Sequence, residues 1–165
     1  MGSNSSNIPP TTQSPSLTPA EMLAAAKQVL TKRLQSGANW FFWIVGLSLG
    51  NSVIALSGGG KRFIVGLGIT SVVDAVAQEA KMGMGVPLIL AVITAGIFIP
   101  FGLLARRRRR WAFLLGMLLY GLDGLLFVLV KDVLSIGFHL LVLYFIYKGL
   151  KANDQLSALE RGDLP

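Results

Sequence analysis

Three ionisable side chains interrupt the apolar stretches of this sequence: Asp74, Asp123 and His139. Asn51 is the main uncharged polar residue in similar surroundings. A charged group in a membrane costs about 3 kcal/mol on insertion scales, so such residues usually face the interior of a helix bundle. A histidine beside a carboxylate there predicts either a proton relay or ligand site, or a polar clamp between two helices. We favour the clamp.

The positions of Asp123 and His139 predict that the two side chains meet. Lys131 and Asp132 form a minimal turn between two apolar blocks, so the flanking helices must be antiparallel neighbours. Asp123 lies about eight residues before this turn and His139 about seven residues after it, which places both roughly 10 Å from the turn. A hydrogen bond between them is therefore expected.

Asn51 and Asp74 are the other candidates for this polar cluster. Asn51 lies midway along its own apolar block, at a depth where it could join the aspartate and the histidine. Asp74 is a secondary candidate, because it stands one helical turn before the polar residue Gln78. We expect Asp74 to lie near the membrane surface, in contact with water.

No pattern of catalytic or metal-binding residues accompanies the cluster. The chain has no cysteine, and two aspartates with one histidine do not make a metal site by spacing alone. The sequence contains no phosphate-binding loop, nucleophile elbow or zinc-protease motif. We therefore predict no catalytic residue, no metal and no cofactor, and a protein that is not an enzyme.

The elements that must position these residues are apolar helices. Of the 165 residues, 53% are hydrophobic and 14% are charged, whereas soluble domains carry about 25% charged residues. The apolar residues form blocks at 38–57, 63–77, 86–105, 111–130 and 133–150. Since about 20 apolar residues cross a membrane as a helix, the sequence predicts an all-α membrane protein. We expect a bundle of four to five transmembrane helices preceded by a short amphipathic helix, with Pro100 kinking the third block.

The chain divides into four predicted parts: a disordered polar tail at 1–17, the amphipathic helix at 18–37, a polytopic membrane domain at 38–152 and a cytoplasmic tail at 153–165. Thr18 and Glu21 predict a capping box at the start of the amphipathic helix, and Gly37 is expected to end it. This helix should lie on the membrane surface or pack against a partner.

Glycines recur along the apolar blocks. Gly46 and Gly50 form a GxxxG pattern, Gly66 and Gly68 flank Leu67, and Gly116, Gly121 and Gly124 punctuate the fourth block. Small residues let transmembrane helices approach closely. We therefore expect all seven glycines to line contacts between helices.

Five adjacent arginines separate the third block from the fourth. They are Arg106, Arg107, Arg108, Arg109 and Arg110. Positive residues mark the cytoplasmic side of membrane proteins, so this loop and the C-terminus are both predicted to be cytoplasmic. If residues 63–77 span the membrane, the N-terminus is outside. If they form a re-entrant hairpin or an interfacial helix, the N-terminus is inside. The five-span arrangement is slightly preferred, with 63–77 short.

The same arginines predict the partners of this loop. A run of guanidinium groups attracts phosphate, but this run has no interleaved aromatic residues and joins two membrane helices. It is therefore expected to act as a topology anchor and to contact anionic lipid headgroups, at about 1 kcal/mol per arginine. Nucleic acid is not an expected partner.

Three strings in the sequence resemble a group of small, uncharacterised bacterial integral membrane proteins. They are ANWFFWIVGLSLGNSVIALSGG, FIVGLGITSVVDAVA and YGLDGLLFVLVKDVLSIGFHLLVLYFIYKGL. Together they cover roughly residues 38–150. The resemblance implies a multi-pass protein of the bacterial cytoplasmic membrane, and it implies no activity.

These observations favour a small membrane protein without a reaction of its own. The expected role is an accessory or scaffolding subunit of a membrane assembly, or a homo-oligomer, held together by polar clamps and glycine-lined helix faces. Its partners would be lipids and either another membrane protein or a second copy of itself. The alternative is a small transporter or channel that uses Asn51, Asp123 and His139.

Overall fold

The computed structural model describes residues 17–57, 66–81, 83 and 85–163. Its helices are α1 (Pro19–Leu56), α2 (Gly68–Glu79), α3 (Gly85–Gly96), α4 (Phe98–Arg106), α5 (Arg110–Leu129) and α6 (Val133–Arg161). No described residue belongs to a β-strand, which confirms the prediction of an all-α protein. Apart from Leu17, the tail predicted at 1–17 lies outside the described residues, as do residues 63–65 of the second apolar block.

Three helical segments are long and apolar enough to cross a membrane: Gly85–Arg106, Arg110–Leu129 and Val133–Arg161. Only about a third of each segment is buried inside the protein, so most of its apolar surface faces outward. Ile93 on α3 and Leu125 on α5 are both more than half exposed. A soluble protein rarely exposes so much contiguous apolar surface, and these segments therefore indicate a membrane protein.

The first helix begins as predicted and then runs on much further. The backbone N–H of Glu21 donates to Oγ1 of Thr18 at 3.3 Å, and the backbone N–H of Thr18 donates to Oε2 of Glu21 at 2.7 Å. However, α1 continues without a break to Leu56. The helix end predicted at Gly37 is therefore wrong, and residues 18–37 are the first half of one long helix.

Gly37 serves a contact between helices instead of a helix end. A Cβ atom on Gly149 of α6 would lie 2.7 Å from Cα of Gly37, which is closer than real Cβ contacts. Next to this crossing, the rings of Trp40 and Phe145 stack with their centroids 5.0 Å apart. The two glycines therefore allow α1 and α6 to pack backbone against backbone.

The sixth helix also passes beyond its predicted limit. Residues 153–161, expected to belong to a tail, continue α6 as a helix that ends at Gly162 in the left-handed conformation, with φ 76°. Ala152, Asn153 and Leu156 are buried there, and Leu34 on the first half of α1 is only 1% exposed. This polar stretch stays helical because it packs beside α1, so the two helices extend together past the rest of the bundle.

The third apolar block is interrupted, as Pro100 predicts. Only Ile97 separates α3 from α4, so these two helices count as one broken rod and the described helices as five rods. Proline has no N–H to donate, and its ring clashes with the carbonyl group four residues earlier, here that of Gly96. The interruption falls directly after Gly96.

Aromatic rings fill the centre of the bundle. The ring of Phe41 on α1 lies 6.3–6.4 Å from those of Phe98, Phe101 and Phe113, which come from α4 and α5. Gly116 makes room for this ring, since a Cβ atom there would lie 2.5 Å from Cζ of Phe41. Aromatic side chains bury large apolar areas, and these four rings join α1, α4 and α5.

The glycines predicted to line helix contacts divide into two groups. Gly68, Gly116 and Gly124 do lie in close contacts. At Gly66 and Gly121 a Cβ would make only ordinary contacts, of 3.4 and 3.9 Å, and at Gly46 and Gly50 it would meet no described atom within 4 Å. The GxxxG prediction is therefore wrong for the described part of the chain: Gly46 lines an open cavity with Leu103 of α4 instead of packing against that helix.

Replacing Gly149 with alanine tests the backbone contact between α1 and α6. We expect Gly149→Ala to lower the free energy of unfolding by about 1–3 kcal/mol, because the added methyl group overpacks the crossing. The matched control is Gly46→Ala, where the methyl group meets open space and alanine favours the helix. Thermal unfolding in a mild detergent measures both, and equal stabilities would contradict the contact.

Acid should weaken the start of α6. Asp132 caps this helix, accepting from Oγ of Ser135 at 2.7 Å and from its backbone N–H at 3.1 Å. These hydrogen bonds, the side-chain one first, lower the pKa of the Asp132 carboxyl below its usual 3.8. A lowered pKa gives stability that is present above pH 3.8 and is lost as the pH falls through the lowered value.

Asp132→Ala should therefore cost about 1 kcal/mol of stability at pH 7, and its difference from the wild type should shrink below about pH 4. Unfolding curves at a series of pH values check this expectation. Asp163→Ala, which removes an exposed carboxylate that follows the last helix, is the control. A difference that stays constant down to the acid limit would show that the cap does not depend on the carboxylate charge.

Candidate functional site: a buried aspartate–histidine pair

The site lies at the start of α2, where buried backbone N–H groups need hydrogen-bond acceptors. The first N–H groups of an α-helix have no acceptor within the helix, and leaving one unpaired in an apolar interior costs about 1–3 kcal/mol. Here the helix begins deep in the protein: Leu67 and Gly68 are buried. The residue before α2 is Leu67, whose side chain cannot accept a hydrogen bond, so acceptors must come from other helices.

Two neighbouring helices supply them. Oγ of Ser48 on α1 accepts from the backbone N–H of Leu67 at 2.9 Å. The Asp123 carboxylate on α5 accepts twice: Oδ2 from the N–H of Gly68 at 2.6 Å and Oδ1 from the N–H of Ile69 at 2.9 Å. A helix start carries a partial positive charge, so a carboxylate is the favoured acceptor there. Asp123 thus caps α2 from a position 55 residues later in the chain.

The predicted contact between Asp123 and His139 is present. Nε2 of His139 lies 3.1 Å from Oδ2 of Asp123, and Nδ1 lies 2.9 Å from the carbonyl oxygen of Ser135. Because a carbonyl oxygen only accepts, Nδ1 must carry a hydrogen. The pair then shares one further proton. Both Asp123 oxygens already accept backbone N–H groups, and the shared proton lies between Nε2 of His139 and Oδ2 of Asp123.

Ring and backbone packing closes the pair off from its surroundings. The ring of Tyr120 stacks on the imidazole with centroids 4.3 Å apart, and the ring of Phe127 lies at 5.1 Å. A Cβ atom on Gly124 would lie only 3.0 Å from Cδ2 of His139. The His139 side chain is 3% exposed and that of Asp123 is 7% exposed. The imidazole is therefore held on several sides.

Asn51 lies beside the start of α2, whereas Asp74 occupies a different place from the one expected. Asn51 is buried next to Gly66, and its Oδ1 accepts no hydrogen bond from the described residues. Asp74 is 2% exposed and accepts from Oγ of Ser52 at 2.9 Å, so the expectation that it lies near the surface in water is wrong. Asp74 is buried because α2 turns this face toward α1.

Ser48 and Ser52 are members of the site that the sequence reasoning missed. With Asn51 they occupy positions i, i+3 and i+4 of α1, and all three are buried. On a helix that spacing places them on one face. A polar stripe on an otherwise apolar helix was the available signal, and it marks where α2 packs.

The hydrogen bonds also define the direction of α2. Ser48 pairs with Leu67, and Ser52 pairs with Asp74, so residue numbers rise together and α2 runs parallel to α1. An apolar cavity of about 230 Å³ between Val76 of α2 and Val86 of α3 shows that α3 then starts beside the end of α2. The helix therefore starts inside the bundle and ends on the side where α1 ends and α3 begins.

The arginine run lies at the opposite end of the bundle and is partly engaged by the protein. Nε of Arg106 donates to Oδ1 of Asn39 on α1 at 2.9 Å. Arg108 forms a two-pronged ion pair with Glu160 of α6, at 2.9 and 2.7 Å. Arg110 lies 3.4 Å from Asp154 of α6. Arg107 and Arg109 are exposed. These contacts gather α1, α4, α5 and α6 around one loop.

Comparisons with known proteins return no match, whether with family models, with curated proteins or with solved structures. Within the described residues, no group of three or more histidine, cysteine, aspartate or glutamate side chains could hold a metal ion. The chemistry that the described site itself supplies is the capping of a helix and the holding of one proton.

Asp123→Asn tests the cap. An amide has one acceptor oxygen where the carboxylate has two, so either Gly68 or Ile69 loses its acceptor and His139 loses its charged partner. We expect the free energy of unfolding to fall by about 3 kcal/mol. Asp154→Asn, at an exposed carboxylate with one loose ion pair, should change it by less than about 0.5 kcal/mol. Denaturation in detergent measures both, and an equally small effect of the two substitutions would disprove the cap.

Proposed function

We propose that this chain crosses the membrane four times, with α2 as a re-entrant helix, and that it acts as an accessory or scaffolding subunit of a membrane assembly or as a homo-oligomer. The observation that carries the proposal is the Asp123 carboxylate, which is wholly engaged in holding α2 and His139. In this proposal the polar cluster is a clamp, and the protein has no reaction of its own.

The positions of the helix ends support four crossings. The arginine run contacts both α1 and α6. Arg106, at the end of α4, donates to Asn39 near the middle of α1. Arg108 donates to Glu160 near the end of α6. The first half of α1 and the end of α6 therefore lie on one side, which requires an even number of crossings. These are the second half of α1, the broken rod α3–α4, α5 and α6.

The length of α2 agrees with this arrangement. Its 12 residues extend about 18 Å, which is short of the roughly 30 Å of a bilayer's apolar core. Irregular backbone within a membrane is tolerated only where protein surrounds it, and the start of α2 is surrounded by α1 and α5. The positive-inside rule then assigns the arginine end to the cytoplasm. Together with the resemblance to bacterial proteins, the rule leads us to propose that the chain lies in the bacterial cytoplasmic membrane with its N-terminus inside.

The surroundings of the pair favour a clamp over a proton relay. A relay requires a hydrogen-bonded route from the pair to each side of the membrane, whereas here aromatic rings and glycine backbones pack against the imidazole. Asp123 and His139 do not line the cavities of about 480, 320 and 230 Å³ that described residues form. Asp123 and His139 have hydrogen-bond partners for their polar atoms, and these cavities do not reach them. Such a polar pair is suited to holding helices together.

The outer surface supports a role in assembly. The outward faces of α3 and α5 are almost wholly apolar, and the exposed Gly46 and Gly50 leave a smooth strip on α1. A helix of another chain could approach such a strip closely, because small residues permit backbone contact in membranes. A second copy of this chain or another membrane protein would then be the partner.

A transporter or channel remains the second proposal, and one observation favours it. In many transporters a helix begins near the middle of the membrane and points its positive end at the bound group. Here α2 begins beside a proton-holding pair, with the buried Asn51 nearby. In this second proposal Asp123 would release the helix start during transport and His139 would carry the proton.

Cysteine labelling tests the four-crossing topology. The chain has no cysteine, so Lys32→Cys, Lys81→Cys, Lys131→Cys and Lys151→Cys each introduce one label site. An impermeant maleimide applied to intact cells should label positions 81 and 131, and should label 32 and 151 only after the membrane is opened. Labelling of position 32 from outside would contradict the proposal and restore the five-span arrangement.

Flux measurements separate the two functions. Wild-type protein in sealed vesicles should show no more proton flux than empty vesicles, and Asp123→Asn and His139→Gln should lower stability without changing that baseline. Ser135→Ala, which removes a hydroxyl that donates to Asp132, controls for a general loss of stability. A wild-type flux that is abolished in a well-folded Asp123→Asn protein would overturn the clamp proposal.

A further inference from the structure

A basic groove lies between α1 and α6, where these two helices leave the rest of the bundle. Its volume is about 320 Å³. Seven residues line it: Arg33, Tyr144, Tyr147, Lys148, Lys151, Ala152 and Gln155. Three of them are cations and none is an acid. The groove is separate from the arginine loop and from the buried aspartate–histidine pair.

We propose that this groove binds the phosphate headgroup of a single anionic phospholipid. This inference rests on the proposed location of this end of the bundle at the cytoplasmic membrane boundary. Arg33 lies on α1, and the other cations, Lys148 and Lys151, lie on α6, so the charges converge from two helices. An arginine can hold a phosphate through two parallel N–H groups, and lysines add point charges.

The tyrosines give the groove its shape. Nζ of Lys148 lies 5.4 Å from the centre of the Tyr144 ring, within the range of a cation–π contact. This contact orients the ammonium group. Tyr144 and Tyr147 are each about half exposed, so their hydroxyl groups are available as donors to phosphate oxygens. Tyrosine is also the side chain that favours the headgroup level of a membrane.

The surface next to the groove favours a lipid over a free phosphate. Residues 137, 140, 141 and 144 lie on one face of α6, at helical spacing, and this face leads from the groove toward the membrane interior. Leu140 and Leu141 are 62% and 47% exposed, and Gly137 has no described neighbour within 4 Å. An acyl chain can lie along this apolar track while its headgroup occupies the groove.

The test uses the full-length protein in an uncharged detergent, with bound lipids counted by native mass spectrometry. The probes are phosphatidylglycerol, phosphatidylcholine and inorganic phosphate. The wild type should retain one phosphatidylglycerol more tightly than further copies, and should not select phosphatidylcholine. The triple variant Arg33→Gln, Lys148→Gln, Lys151→Gln should weaken that first binding event about 100-fold, since three cations near an anionic headgroup are removed.

The matched control removes three cations from the same end of the protein, outside both the groove and the arginine run: Lys27→Gln, Lys32→Gln, Arg161→Gln. It should leave the first binding event within about threefold of the wild type. An equal loss in both triple variants would overturn the proposal in favour of diffuse attraction. Retention of phosphatidylcholine as tightly as phosphatidylglycerol would overturn it and show that binding is apolar adsorption. Displacement of the lipid by equimolar phosphate would overturn it and show that the groove binds a free anion.

A single substitution tests the groove even if the triple variant fails to fold. Lys151 is exposed, so Lys151→Glu should keep the fold, with an unchanged elution volume, and should weaken the first lipid by more than tenfold. Unchanged binding in this folded variant would also overturn the proposal. These measurements are made in detergent and do not depend on topology or flux, so their failure is distinct from failure of the proposed function.

Discussion

The start of α2 inside an apolar bundle is the constraint on which the rest of the structure depends. Its first N–H groups have no acceptor within the helix, and Leu67 offers no side-chain acceptor, so the surrounding helices bring acceptors to them. Asp123 does so with both carboxylate oxygens, and Ser48 does so from the other side. The positions of α1, α2 and α5 are therefore coupled by hydrogen bonds that would be costly to leave unmade.

His139 extends this coupling to α6. Its imidazole binds the same carboxylate oxygen that receives the N–H of Gly68, while its other nitrogen is held by the preceding turn of α6. Gly68 and Gly124 permit the close approach, since a Cβ on Gly68 would lie 2.9 Å from the carbonyl oxygen of Asp123 and one on Gly124 would lie 3.0 Å from Cδ2 of His139. The proton shared by the two side chains leaves the pair without net charge, and removing either partner would leave the other buried without compensation.

The two ends of the molecule have different physical characters. At one end, α1 and α6 continue together beyond the bundle, and arginines from the α4–α5 loop reach across to acidic groups on α6. These ion pairs are exposed and individually weak. At the other end, α2 ends beside the start of α3. The basic groove and the buried aspartate–histidine pair therefore lie at different levels along the bundle.

The sequence by itself determined the features that depend on local composition. Hydropathy predicted apolar helices, Pro100 predicted the interruption of the third rod, the Thr18–Glu21 spacing predicted the capping box, and the short turn at Asp132 predicted the contact between Asp123 and His139. Each of these depends on neighbours along the chain or on a tight hairpin, where distance in sequence fixes distance in space. The arginine run was also predicted as a marker of one end, although its contacts with α1 and α6 were not.

Only the tertiary structure decided which face of each helix meets another. It made Gly37 a point of helix contact and left Gly46 and Gly50 outward. It also buried Asp74 against Ser52 and gave Asp123 its main role, the capping of a helix that begins far away in sequence. The physical reason is that a glycine or an aspartate has the same local preferences wherever it lies. Its partner is set by how distant helices pack, and by which buried N–H groups that packing leaves without an acceptor.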